Sequence, residues 1–281
     1  MLLVHTAAEL DAALADARAA GHKIGFVPTM GALHDGHVSL VGLARTYADL
    51  VVVSIFVNPK QFGAGEDFDR YPRTLEADCE KLGDLAEIVF APAVEEVYPA
   101  GIEVAAKHAG PVGETFEGAA RPGHFDGMLT VVARLFDLVR PDVAVFGQKD
   151  AQQLFLVGQM AAAEYPGLRI VAAEIVRERS GLAMSSRNRF LNSEQLDIAE
   201  ILAITLASVS QLIHEGMDIH AALAIGEEMI SGEPETKLDY LALVDPSTFA
   251  RVGNGYTGSA LLIVAAQVGE VRLIDNHIFD I

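Results

Sequence analysis

Residues 50–57 read LVVVSIFV, a nearly unbroken apolar run rich in β-branched side chains. Such a run has no polar face to show to water, so as a strand it has to be covered on both sides. Segments of the same kind recur at 88–91 and 143–146, and further strands are expected at the apolar run 24–27 and at 168–172. Helical patterns lie between them at 75–82, 125–139 and 151–164, and another begins near Asp35 with Val38, Leu40, Val41 and Ala44 on one stripe. Strands buried on both faces and alternating with helices predict a parallel sheet with helices on each side. The expected fold is α/β: a Rossmann-like doubly wound parallel sheet over residues 1–175.

Thr6-Ala-Ala-Glu9 has the form of a capping box, followed by Leu10, Leu14 and Ala17 at helical spacing and a stop at Gly21. The texture changes after residue 175. A polar loop over 177–189 leads into helical patterns at 193–214 and 219–230, then two strands at 238–244 and 260–268. A length of 281 residues exceeds one ordinary domain. The second part, 176–281, is therefore expected to be a smaller α+β C-terminal domain able to close over a ligand held by the first. Neither an internal repeat nor a low-complexity tract interrupts the pattern.

Composition narrows the class. The formal net charge of −19 opposes broad contact with nucleic acid, although a local pocket of cations and backbone N–H groups can still take a small phosphorylated ligand. Cys79 is the only cysteine, which rules out an intrachain disulfide, a Cys-rich metal motif and a CxxC redox pair. No basic segment followed by an apolar stretch opens the chain, and no uninterrupted apolar run approaches the ~20 residues that span a bilayer. A cytoplasmic protein with neither membrane nor nucleic acid as partner is expected.

The chemistry concentrates at strand ends. In an open parallel sheet, ligands gather beyond the carboxyl ends of the strands, where helix N-termini offer free N–H groups to anions. PTMGALHDGHVSL, residues 28–40, stands at such a junction. Its His34 and His37 become neighbours once the helix begins, and Gly36 between them lets a ligand approach the backbone. Two surface histidines would be the plain reading of such a pair alone. A helix N-terminus, however, disfavours imidazolium, whereas a neutral imidazole can donate to a phosphate oxygen.

SIFVNPKQF puts the amides of Asn58 and Gln61 at the end of another buried strand, suited to a substrate with hydroxyls and a carboxylate; otherwise it is a polar Asn-Pro turn. VFGQKDAQQ lets Gly147 admit a nucleotide while Lys149 reaches phosphate and Asp150 accepts from ribose, although Lys149 and Asp150 also fit a solvated pair. GLAMSSRN gathers Ser185, Ser186 and Arg187 in one loop, either for phosphate oxygens gaining charge or for capping the turn before Leu191. RPGHFDGM offers Arg121 as a further cation for substrate. Asp78 is a hard oxygen donor for Mg²⁺, an ion that commonly rides on nucleotide phosphates with few protein ligands. The glycine-containing stretch 61–71 is a candidate cover for a water-sensitive intermediate.

HDGH after a strand resembles the HxGH signature of the nucleotidyltransferase superfamily, and PTMGALHDGH is similar to the pantothenate synthetase family within it. SIFVNPKQF, DRYPRT, VFGQKDAQQ and GLAMSSRN follow in that family's order, and LDYLALVDP continues the likeness toward the C-terminus. The resemblance implies a homodimer that joins pantoate to β-alanine with ATP and Mg²⁺ through a pantoyl-adenylate, releasing AMP and pyrophosphate. It implies ATP contacts from Met30, Gly31, Ala32, Leu33, His34, Asp35, Gly36 and His37, from Gly147, Gln148, Lys149 and Asp150, and from Val176, Met184, Ser185, Ser186 and Arg187. Pantoate would meet Gln61, Gln153, Asn58 and Arg121, with β-alanine also at Gln61. His34, His37, Lys149, Ser185, Ser186 and Arg187 would be the catalytic set, with His37 also named as a proton donor. Relatives carry an acidic pair where this chain has Ala77 and Asp78. Two other readings stay open: a transferase moving AMP or CMP onto a phosphorylated alcohol, and a nucleotide sensor without turnover.

Overall fold

The computed structural model describes residues 1–63 and 68–281. Residues 64–67, within the 61–71 stretch expected to act as a cover, lie outside the described residues. The chain divides into two compact units: Met1–Gln148 with Leu156–Glu174, and Lys149–Phe155 with Ile175–Ile281. The short segment from Lys149 thus groups with the C-terminal unit although it lies between two strands of the first.

The first unit is built on strands β1 (Leu2–Val4), β2 (Ile24–Thr29), β3 (Leu50–Ile55), β4 (Ile88–Phe90), β5 (Val143–Gly147) and β6 (Arg169–Ala173). Their order is β1-β4-β3-β2-β5-β6, every neighbouring pair parallel. Helices α1 (Ala7–Ala19), α2 (Asp35–Ala44), α3 (Leu75–Leu82), α4 (Val94–Val97), α5 (Glu117–Ala120), α6 (His124–Val139) and α7 (Ala151–Glu164) follow the chain around it. The expected Rossmann-like doubly wound sheet is what forms. Alternate strand residues explain the lack of a polar face. Val27, Val51, Val53 and Val145 pack with Leu40, Val41 and Ala44 of α2. Phe26 turns the other way and meets Phe136 of α6 edge-on, with centroids 6.2 Å apart; Phe136 also meets Phe146 at 6.3 Å. Each such aromatic pair adds ~0.5–1.5 kcal/mol beyond its buried area.

The chain leaves β2 toward β3 and β4 on one side and later returns to lay β5 and β6 on the other. The switch point therefore lies between β2 and β5. Pro28 has no N–H to give to a ladder, and β2 pairs with β5 only through Gly25 and Phe26, whereas β5 stays paired to β6 as far as Gly147. Between the carboxyl ends of β2 and β5 the sheet is unpaired, which is where an open α/β sheet receives its ligand.

The second unit contains α8 (Ser193–Ala199), α9 (Ile201–His214) and α10 (Ile219–Ser231) with an antiparallel sheet of β7 (Thr236–Val244), β8 (Ser259–Val268) and β9 (Val271–Asp280), in that order. Two details differ from expectation. The single helix expected over 193–214 tightens at Glu200, whose N–H bonds the Asp197 carbonyl, and becomes two helices. The second difference is β9, a third strand where two were expected: VRLIDNHIFD carries too many polar residues to read as a core strand, yet it pairs along its whole length with β8. Ser193–His214 is long and apolar enough, by length and composition, to cross a membrane. Here Leu202, Leu206, Val209 and Ile213 turn it into the core of this unit instead.

Candidate active site

The loop from β2 into α2 has unusual backbone. Gly31 has φ +82° and Ala32 φ +50°, the latter a left-handed conformation that alanine adopts only under constraint. Asp78 of α3 supplies that constraint. Its carboxylate, 3% exposed, accepts the N–H groups of Ala32 (3.0 Å) and Leu33 (2.7 Å) and the Thr74 hydroxyl (3.2 Å). A Cβ on Gly31 would lie 3.0 Å from the same carboxylate, so space as well as φ calls for glycine. Accepting three donors, Asp78 is an anchor of the loop, a role not included in its expectation as an outer Mg²⁺ ligand. Asp78→Asn should therefore cost about 1.5–3 kcal/mol of stability, by turning an amide N–H toward a backbone N–H, and leave magnesium dependence unchanged. Thermal melts beside a magnesium titration of activity check this; an unchanged melting temperature with a shifted titration would restore the ligand role.

His34 is the N-cap of α2 in extended backbone, and His37 stands in the first turn. Their rings lie 4.0 Å apart between centroids. The N–H of His34 donates to Nδ1 of His37 at 3.3 Å, so a neutral His37 carries its proton on Nε2 and presents it as a donor. Asp35 turns outward to Lys81 at 2.8 Å, and that hydrogen bond holds its carboxyl below the usual range. Only its backbone remains for a ligand at this loop.

Asn58 and Gln61 begin and end a short 3-10 turn after β3, and both are buried. The Tyr98 hydroxyl donates to Oδ1 of Asn58 at 2.8 Å, which fixes the amide so that Nδ2 donates to Oε1 of Gln61 (3.2 Å) and to the Gly127 carbonyl (3.1 Å). Gln61 is left with its own N–H donors turned toward Met30, whose sulfur accepts at 2.9 Å. Burial pushes the Tyr98 phenol up to about 12, so it remains a donor at any ordinary pH. Behind the turn, His124 Nδ1 donates to the Gln61 carbonyl at 2.8 Å, and Arg121 lies against His124 Nε2 at 3.1 Å. Arg121 and Gln61 therefore belong to one cluster, while Tyr98 and His124 are members that sequence reasoning missed. His124 sits inside the quoted RPGHFDGM; nothing in the sequence ties Tyr98 to Asn58. Tyr98→Phe should raise KM for the substrate expected at Gln61 by about 3- to 10-fold, the worth of one hydrogen bond, with KM for the nucleotide expected at the β2–α2 loop unchanged in steady-state kinetics.

In the first unit β5 delivers Gly147 and Gln148. A Cβ on Gly147 would make only ordinary contact, with Leu40 at 3.8 Å, so protein packing gives no reason for glycine there. The second unit holds the other expected residues. Lys149 and Asp150 finish a 3-10 turn, with Gln153 two residues into α7. Residues 176–184 fold back on themselves: the Met184 N–H donates to the Val176 carbonyl at 3.0 Å, and Glu178 N–H to the Leu182 carbonyl at 2.8 Å. Ser185 then caps the turn Ser186–Phe190 by accepting the Arg187 N–H at 3.2 Å, and Asn188 donates to the Ala183 carbonyl at 3.1 Å. Capping and presentation of hydroxyls coexist, since the Ser185 O–H can still donate.

Among the described residues no group of three or more His, Cys, Asp or Glu could hold a metal. With Asp78 engaged in the loop, the described residues offer no protein cage for Mg²⁺. An unpaired switch point rimmed by a helix N-terminus, two imidazoles and amide donors defines a nucleotide-dependent enzyme of the HxGH type.

The comparisons narrow that class. The family model described as Pantoate-beta-alanine ligase matches residues 2–278. A pantothenate synthetase of Leifsonia xyli is 53% identical over 255 residues, covering 91% of this chain and 88% of the relative. The crystal structure of pantothenate synthetase from Thermus thermophilus superposes with TM-score 0.92 at 46% identity, covering 99% of each chain. That of a pantoate-beta-alanine ligase from Francisella tularensis, complexed with beta-gamma ATP and β-alanine, does so with TM-score 0.76 at 32% identity over 99% of this chain and 97% of that one. The chain belongs to the pantoate-beta-alanine ligase family and is a ligase.

Proposed function

We propose that the two sets of residues serve one adenylation and one acyl transfer. The overall reaction is that of the family: pantoate and β-alanine condense to pantothenate while ATP becomes AMP and pyrophosphate. The pantoate carboxylate, ionised at neutral pH, attacks the α-phosphorus and needs no base to become a nucleophile. Positioning and charge stabilisation then carry the step. The Nε2 donor of His37, with His34 and the N-terminal N–H groups of α2, binds phosphate oxygens. Lys149 adds a cation, and Ser185, Ser186 and Arg187 stabilise the departing pyrophosphate. Gln61, its amide oriented by Asn58, binds pantoate together with Arg121 and Gln153, and later β-alanine.

In the second step the neutral amine of β-alanine attacks the activated carbonyl, the acyl–phosphate C–O bond breaks, AMP leaves, and the nitrogen loses a proton. Bound with ATP, Mg²⁺ supplies charge neutralisation of the phosphates. A homodimer in the cytoplasm completes the reading, and light scattering tests the oligomeric state.

The observation that carries this reading is the Asp78-held loop between β2 and α2, which leads into His34 and His37 and whose Met30 accepts from the amide of Gln61. Mass spectrometry of products from ATP, Mg²⁺, pantoate and β-alanine, omitting each organic substrate in turn, tests it. Pantothenate and AMP should appear only in the complete mixture. An AMP-bearing product that persists when β-alanine is present, with no amide formed, would favour an alcohol-directed nucleotidyltransferase, and absence of pyrophosphate would favour a sensor.

A further inference from the structure

We infer that Asp275 and Asn276 of β9 are positioning residues for the phosphate-handling segments of the second unit. They hold Lys149 and the 176–187 loop in one network. The inference rests on the reading above, in which those segments engage ATP.

Asp275 and Asn276 are consecutive on a strand, so their side chains leave opposite faces, yet they are only 3% and 5% exposed. Two buried polar residues in succession weaken a core strand unless each has a specific partner. Asp275 takes the guanidinium of Arg177 fork to fork, at 2.6 and 3.0 Å, and also accepts the Asn276 N–H at 2.7 Å. Arg177 donates further to the carbonyls of Gly181 (3.0 Å) and Asn276 (3.2 Å). One guanidinium thus ties both arms of the 176–184 fold to β9, immediately before Ser185, Ser186 and Arg187. On the other side, Nδ2 of Asn276 donates to the Lys149 carbonyl at 3.0 Å. Two segments far apart in sequence, Lys149 itself and the fold that leads into Ser185, Ser186 and Arg187, are therefore held by neighbouring residues of one strand.

Stability alone is a poor reason for this arrangement. A buried ion pair is often replaced by apolar side chains of similar volume at no loss of stability, whereas its fork geometry fixes direction. That distinction supplies the test. Pantoate-dependent ATP–pyrophosphate exchange reports adenylation, and β-alanine capture of presynthesised pantoyl-adenylate reports the second step alone.

In Asn276→Ala, exchange should fall on the order of 10-fold with a raised KM for ATP, while capture stays within about twofold of wild type. The double variant Arg177→Met with Asp275→Leu should keep the wild-type melting temperature and show the same selective loss. A folded double variant with wild-type exchange overturns the inference. So does an Asn276→Ala enzyme that loses exchange and capture in equal proportion, as a general weakening of the fold would do. If the double variant fails to fold, the Asn276→Ala split decides alone. A wild-type enzyme without pantoate-dependent exchange would overturn the functional reading itself, and the inference with it.

Discussion

Gly127→Ala should lower kcat/KM for amide formation on the order of 100-fold and destabilise the fold by about 1–3 kcal/mol. A Cβ at this position of α6 would lie 2.1 Å from the Lys60 carbonyl oxygen, 2.6 Å from its carbon and 2.9 Å from the Gln61 nitrogen. These are backbone atoms of the turn that carries Asn58 and Gln61, so no side-chain rotation relieves the clash. Either α6 or the turn has to move. The Gly127 carbonyl is also an acceptor for Asn58, so displacement breaks the contact that helps orient both amides. The binding energy lost should appear in the substrate held by Gln61, with KM for ATP nearly unchanged. Steady-state kinetics with each substrate varied, beside thermal melts, measures both. An alanine enzyme with normal kinetics would mean that the turn yields freely and that the amides are not held by α6.

His37→Ala should reduce pantoate-dependent pyrophosphate exchange by about 10²- to 10³-fold, the usual cost of deleting one donor aimed at developing charge. The structure specifies which donor. Because Nδ1 of His37 accepts the His34 N–H, a neutral ring carries its proton on Nε2. His37→Gln retains an N–H donor but cannot carry a transferable proton. Partial recovery of exchange in the glutamine variant therefore supports phosphate binding as the role of His37. Recovered exchange with failed β-alanine capture would assign it the proton-donor role instead. Undiminished exchange and capture in His37→Ala would remove His37 from the mechanism altogether.

Much of the first unit was legible because its central strands are buried on both faces. Residues 24–27, 50–57, 88–91 and 143–146 show no alternation, and each supplied a strand of the parallel sheet; 168–172 supplied the edge strand β6, where Arg169 and Ala172 are exposed. The capping box at Thr6 and Glu9 was legible for a different reason, since it satisfies orphan N–H groups within a few residues of itself. The short edge strand β1 was not legible. Leu2–Val4 is too short to carry a periodic signal, and it becomes a strand only because β4 offers it a partner.

The sites divide along the same line. HDGH, FVNPKQF, FGQKD and AMSSRN announce themselves because a strand end, a helix start and the chemistry lie together in sequence. Asp78 looked like a metal ligand because a carboxylate's chemistry is visible in sequence, while the two N–H groups that occupy it, 45 and 46 residues away, are not. Tyr98 behind Asn58, Gly127 against Lys60 and Asn276 on Lys149 were hidden in the same way.

Sequence alone determined the layered α/β fold and the candidate residues proposed for ATP, since burial period and local turn chemistry act over neighbouring residues. Tertiary structure decided how those residues are held, the direction of each amide, and the use of a polar strand such as β9. A buried donor needs an acceptor within about 3 Å, and only the folded chain brings one there.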